Sequence, residues 1–146
     1  MRALVQRVTS ARVEVDGHVV GSCDKGLLVF LGVGHADDEA VAKRLWDKVY
    51  RLRIFADKDG KTNLSLADVG GDVLVVSQFT LYADCRRGHR PSFTGAAPAA
   101  LGARLYERFC DLAQEDVAHV GRGVFGADMQ VSLVNDGPFT IWLEVP

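Results

Sequence analysis

Cysteine is scarce and unpatterned in this chain: only Cys23, Cys85 and Cys110 occur, with no CxxC spacing. An odd, scattered set of thiols excludes a disulfide framework or a cysteine-zinc cluster and points to ordinary reduced side chains. The histidines, His18, His35, His89 and His119, are equally scattered and show no ligand spacing, so no metal is expected. Long apolar runs are missing too. The longest, Gly26 to Gly34, falls far short of the roughly 20 residues that span a bilayer. The opening stretch MRALVQRVTSARVEV alternates and carries arginines, unlike the apolar block of a signal peptide, so a cytoplasmic address is expected. There is no excess of positive charge: 17 Lys and Arg face 19 Asp and Glu, a formal net charge of -2. Any contact with RNA must therefore come from a local basic patch. No GxSxG elbow, Walker loop, HExxH or GxGxxG is present, and no cofactor is implied.

What remains is an ordinary globular mixture, 48% hydrophobic and 25% charged over 146 residues, enough for a single domain covering residues 1–146. Alternation from Ala3 to Val8 and again at Val13 and Val15 predicts strand, and Asp16-Gly17 is a strong hairpin signal before a return strand at His18 to Gly21. The continuous apolar run GLLVFLGV (Gly26 to Val33) predicts a strand buried on both faces, as does Val73 to Val76. Val41, Leu45, Val49 and Leu52 recur at helical spacing behind acidic Asp37, Asp38 and Glu39. Leu101, Leu105, Phe109 and Leu112 do the same behind Pro98. Gly121-Arg122-Gly123 reads as a flexible stretch. Met129 to Val134 and Phe139 to Val145 read as two further strands separated by Asn135-Asp136-Gly137-Pro138. Strict βαβ alternation is lacking, so the expected fold class is α+β: one compact domain of mixed or antiparallel, barrel-like sheet packed with two main helices.

Three segments could carry chemistry. The apolar strand ending at Val76 runs straight into Ser77-Gln78-Phe79-Thr80 and abruptly gains hydrogen-bonding side chains. Taken alone, this is a strand leaving the core, with its polar groups satisfying local backbone; the alternative is a strand end converging on a polarised substrate oxygen. Asn135-Asp136-Gly137-Pro138-Phe139-Thr140 suits a hairpin turn. Alternatively, a cis Gly137-Pro138 bond would present two carbonyls in an unusual, fixed direction, a rigid gauge that needs no side-chain rotamer. Arg86-Arg87-Gly88-His89-Arg90 is the one local basic cluster, either a solvated loop or a phosphate contact through Arg86, Arg87 and Arg90.

Ser77-Gln78-Phe79-Thr80 matches the SQxT motif, and Asn135 to Thr140 the NxGPxT motif, of D-aminoacyl-tRNA deacylases, which the chain resembles from Met1-Arg2-Ala3-Leu4-Val5-Gln6-Arg7-Val8 onward. The likeness continues through Asn63-Leu64-Ser65, Arg90-Pro91-Ser92-Phe93 and Phe125 to Leu133. It departs at Phe139, where the family often has Val and which adds bulk beside the second motif, and at Cys85, where Thr is frequent. The resemblance implies an enzyme that hydrolyses the ester of D-aminoacyl-tRNA, and of mischarged glycyl-tRNA, as a proofreading step in translation. It also implies a homodimer with its active site at the subunit interface. There Ser77, Gln78, Phe79 and Thr80 of one subunit would line the pocket, and Gly137-Pro138 of the other would exclude L side chains.

By the same likeness Phe125 and Met129 border the pocket, Asn135 and Thr140 belong to the filter motif, and Arg7 holds the Gly-Pro element. Backbone amides near Phe79 and Thr80, assisted by Gln78, are the expected oxyanion donors. Thr80 is the obvious side-chain nucleophile, but no base stands near it in the sequence. The resemblance implies instead that a terminal ribose hydroxyl of the RNA helps to activate water. The alternative reading is a non-catalytic nucleic-acid-binding protein of the same fold.

Overall fold

The first strand changes the face it buries halfway along, and that switch organises the molecule. In the computed structural model, which describes residues 1–146, β1 (Arg2–Val15) buries Ala3 and Val5 in one core and Val8, Ala11 and Val13 in a second. Residues of one parity would all share a face. The phase change between Val8 and Ala11 coincides with a pairing irregularity between Val8 and Ser10, as expected where a bulge displaces a strand by one residue. β1 pairs with the long strand β8 (Gln130–Glu144) throughout, with β3 (Gly26–Gly32) through its first half, and with β2 (His18–Cys23) through its second. The β1–β2 turn has Asp16 at φ 50° and Gly17 at φ 78°, the two positive values a tight hairpin needs.

Beyond β3 the sheet continues with β6 (Asp72–Ser77) and β7 (Val120–Arg122), both added in parallel. Parallel neighbours require crossovers. The first contains α1 (Glu39–Tyr50), a small hairpin of β4 (Phe55–Ala56) and β5 (Thr62–Leu64), and α2 (Leu66–Val69). The second contains α3 (Ala99–Asp116). β3 and β6 are apolar on both faces because each face meets a core: Leu27, Val29, Val73 and Val75 join the larger cluster with α1 and α3, and Leu28, Leu74 and Val76 join the smaller. The helices dock through Trp46 against Phe109, with ring centroids 5.6 Å apart at 87°. α1 is capped by Asp38, whose carboxylate accepts from the Val41 amide at 2.9 Å.

Two sequence expectations need correction. The stretch Gly121-Arg122-Gly123 is not a flexible segment, because its first two residues end β7 at the seam that nearly closes the sheet into a barrel. A Cβ on Gly121 would lie 2.5 Å from Ser22 O, and one on Gly21 2.3 Å from Arg122 O, so β2 and β7 meet backbone to backbone. The chain also does not turn back at Asn135 to Pro138. β8 is one strand running along β1, with Gln6 opposite Thr140 and Val8 opposite Asn135; the residues between bulge out of the ladder. Pro138 has no N–H to donate, and Gly137 sits at φ 122°, where a side chain is disfavoured. No helix is long and apolar enough to cross a membrane.

Candidate active site

β6 ends at a cavity of about 410 Å³ whose walls come from three parts of the chain. Val76, Ser77, Gln78 and Phe79 supply the strand end, and Ala96, Ala97 and Ala99 the lead into α3. Phe125, Gly126, Ala127, Met129 and Val131 supply the segment from β7 into β8. The lining is mostly apolar, with Ser77 and Gln78 as its polar side chains, as in a ligand pocket that fixes orientation through few polar groups. Behind it the buried Tyr106 hydroxyl lies 2.9 Å from Val75 O and 3.1 Å from Gly123 O, tying β6 to the end of β7. Burial pushes the Tyr106 phenol well above its ordinary range.

At the mouth the chain tightens into a 3-10 turn, Phe79–Tyr82. Such a turn leaves its opening amides, those of Phe79 and Thr80, without an intrahelical acceptor. The Gln78 amide is occupied in a 2.7 Å bond to Leu31 O. The Gln78 side chain donates through Nε2 to the Thr80 hydroxyl at 2.5 Å. Thr80 is exposed and lies outside the cavity lining, and no carboxylate, imidazole or amine bonds to its hydroxyl. Cysteine chemistry is no substitute, since burial pushes the Cys23 and Cys110 thiols up to about 12. No three or more His, Cys, Asp or Glu side chains gather where they could hold a metal ion.

Gly137-Pro138 is a cis peptide and is exposed. It does not line the cavity of its own chain, which β8 reaches only at its start, through Val131. A compact scaffold surrounds it instead. Asn135 Nδ2 donates to Arg7 O and to Phe139 O, each at 3.0 Å, and Asn135 Oδ1 accepts from the Thr140 hydroxyl at 3.1 Å. Gln6 Nε2 in turn donates to that hydroxyl at 3.1 Å. The largely buried Arg7 donates through Nε to Asp136 O at 3.1 Å and through Nη1 to Ile54 O at 2.5 Å, with its guanidinium 4.7 Å from the Phe139 ring centre. A Cβ on Gly137 would come within 2.6 Å of Arg7 Nη2. Phe139 thus supplies the flat face on which Arg7 rests.

The basic cluster forms a hairpin-like excursion closed by reciprocal backbone bonds between Asp84 and Ser92, 2.7 and 3.0 Å long. Arg86 is already engaged there: Asp84 accepts from its Nε at 2.8 Å and its Nη2 at 2.6 Å, which draws the Asp84 carboxyl down to about 2. Arg87 and Arg90 are exposed and form no ion pair. The structure therefore gathers Ser77, Gln78, Phe79, Phe125 and Met129 around one cavity. It places Arg7, Asn135, Gly137, Pro138 and Thr140 in a separate cluster, and the arginines in a third. The alanine wall at Ala96, Ala97 and Ala99, and the support from Gln6, went unnoticed in the sequence; small residues mark room for a ligand only once their neighbours are known.

The chain is similar to known proteins over nearly its whole length. The family model described as D-Tyr-tRNA(Tyr) deacylase matches residues 4–144. A D-aminoacyl-tRNA deacylase of Roseiflexus castenholzii is 58% identical over 144 residues, covering 99% of this chain and 92% of the relative. One of Thermotoga petrophila is 59% identical, covering 99% and 97%. Among solved structures, the c-Myc DNA unwinding element binding protein superposes with a TM-score of 0.94 at 38% identity, covering 100% of this chain and 99% of that one. A probable eukaryotic D-amino acid tRNA deacylase, at 17% identity and a TM-score of 0.88 with 99% and 98% covered, shares the fold.

Proposed function

The chain belongs to the D-Tyr-tRNA(Tyr) deacylase family and is a hydrolase of ester bonds; from that footing we propose that it frees tRNA from D-amino acids and glycine as a cytoplasmic proofreading step. The observation that carries this reading is the polar end of β6 opening into an otherwise apolar cavity. The amides of Phe79 and Thr80 are the oxyanion donors, left free for the substrate because the turn gives them no internal acceptor. Water adds to the ester carbon, and collapse of the tetrahedral intermediate breaks the bond to the ribose oxygen, which leaves with a proton. Gln78 orients the mouth through Thr80, and a neighbouring ribose hydroxyl of the RNA guides the water. The protein supplies shape and electrostatics, with no side-chain nucleophile.

Stereochemical rejection is assigned to Gly137-Pro138 of a second copy. Within one chain that element is not part of the cavity wall, yet it is exposed and braced by Arg7, Asn135 and Thr140. A homodimer that lays β8 of one subunit over the cavity of the other would bring the two halves together. Arg87 and Arg90 then meet the acceptor-stem phosphates. The decisive measurement compares D-Tyr-tRNA with L-Tyr-tRNA. The D ester should be hydrolysed at least about a hundredfold faster; equal rates would remove the filter, and no hydrolysis of either would remove the enzyme.

The close likeness to the c-Myc DNA unwinding element binding protein favours one other reading, a non-catalytic nucleic-acid-binding protein of this fold. Tight binding of duplex DNA without any deacylation would select it.

A further inference from the structure

Phe79 is anomalous. Its amide serves the oxyanion site, but the residue is 56% exposed at the rim of the cavity, the one phenylalanine of the chain left exposed. The ring is not loose either. Phe93, just past the closing bond of the basic hairpin, packs against it at 70° with centroids 5.1 Å apart. One segment of chain thus runs from Phe79 at the rim, out through the hairpin bearing Arg87 and Arg90, back to Phe93, and into the cavity wall at Ala96 and Ala97. A braced aromatic face beside unpaired cations, leading outward from a pocket, is the combination that receives single-stranded nucleic acid.

We propose that the exposed ring face of Phe79, held by Phe93, stacks the penultimate base of the RNA acceptor end. The assignment rests on the deacylase reading for the direction of the strand. With the terminal nucleoside and its ester in the cavity, the next base outward arrives at the rim, and the phosphates beyond it approach Arg87 and Arg90. Phe79 is, in this role, a positioning residue acting through the RNA chain.

The test is a double-mutant cycle on full-length protein using tRNA that carries either an intact or an abasic penultimate nucleotide. Kd for the uncharged RNA and KM for the D-tyrosyl ester are both measured. Removing the base should weaken binding to the wild type by about tenfold. Phe79→Leu should show a loss of the same order with intact RNA, but no further loss with abasic RNA. Phe79→Trp, which restores a π-face, should restore the sensitivity to the base. Independent, additive losses would overturn the proposal. So would a change in sedimentation of Phe79→Leu with unaltered RNA affinity, which would show the ring to be covered by a second copy. Because Kd is read on uncharged RNA, a protein that couples to the base yet hydrolyses nothing would refute the deacylase reading alone. One that hydrolyses the ester without coupling would refute the stack alone.

Discussion

A threonine hydroxyl becomes a nucleophile only when a base takes its proton. Thr80 has instead the Gln78 amide donating to it, which makes the hydroxyl oxygen less, not more, electron-rich. Thr80→Val should therefore retain single-turnover deacylation to within about tenfold of wild type, the loss coming from a released Gln78 side chain. A quenched-flow trace showing abolished hydrolysis with normal RNA binding would reinstate Thr80 as the nucleophile. Tyr106 poses the opposite case, a buried hydroxyl with backbone partners on two strands. Tyr106→Phe keeps the ring and removes the only donor, so urea unfolding should show a loss of about 1–2 kcal/mol. The sign of the pH effect follows from burial. The folded chain holds the phenol neutral while the unfolded chain ionises it above about pH 10, so its stabilising contribution is intact below that pH and declines as pH rises further. Tyr82 and the buried thiols shift in the same direction, so the Tyr106 share is the part of the alkaline slope missing from the variant.

Among the elements, the basic hairpin shows how an internal carboxylate can decide which cations are available. Asp84 engages Arg86 by two contacts and leaves Arg87 and Arg90 to the solvent. Asp84→Asn should release the Arg86 guanidinium, lower KM for the RNA ester at low salt, and steepen the slope of log KM against log salt by about one. An unchanged slope would mean that the hairpin stands clear of the RNA path. Elements with a long, unbroken pattern were legible from the sequence. The apolar runs of β3 and β6 read as doubly buried strands, and Asp16-Gly17 as a hairpin, because each signal is local. β7 was hidden because its Gly121 is required by a backbone contact with β2, a partner about 100 residues away in sequence. The bulge in β8 was misread as a turn because glycine and proline signal a break in the ladder without saying whether the strand resumes in the same direction. At the cavity, the polar residues after Val76 were legible and the alanine wall was not.

The whole molecule is a nearly closed barrel carrying two long helices and the short α2, and its two most informative contacts lie at its seam and at its exposed strand. At the seam, Gly121→Val would drive a side chain into Ser22 O, so it should cost about 3 kcal/mol by overpacking and lower Tm, with unfolding cooperative throughout. At the exposed strand, β8 pairs only with β1, which leaves one flank free, and it exposes Val134 and Trp142 at 56% and 47%. If a second copy covers this flank, each active site draws its pocket from one subunit and its filter from the other. Two variants separate that arrangement from a filter acting within its own chain. Ala96→Trp fills the cavity but leaves the loop intact. Gly137→Val leaves the cavity but strains the loop through its φ of 122° and crowds the Arg7 guanidinium that braces it. The first homodimer should be inert, and the second should hydrolyse L-Tyr-tRNA as well as D-Tyr-tRNA. In a purified heterodimer the one open pocket belongs to the Gly137→Val chain but receives its loop from the Ala96→Trp chain. That heterodimer should hydrolyse D-Tyr-tRNA at about half the wild-type rate per dimer and spare L-Tyr-tRNA. If it hydrolyses L-Tyr-tRNA instead, the loop guards the pocket of its own chain, and the shared site is wrong.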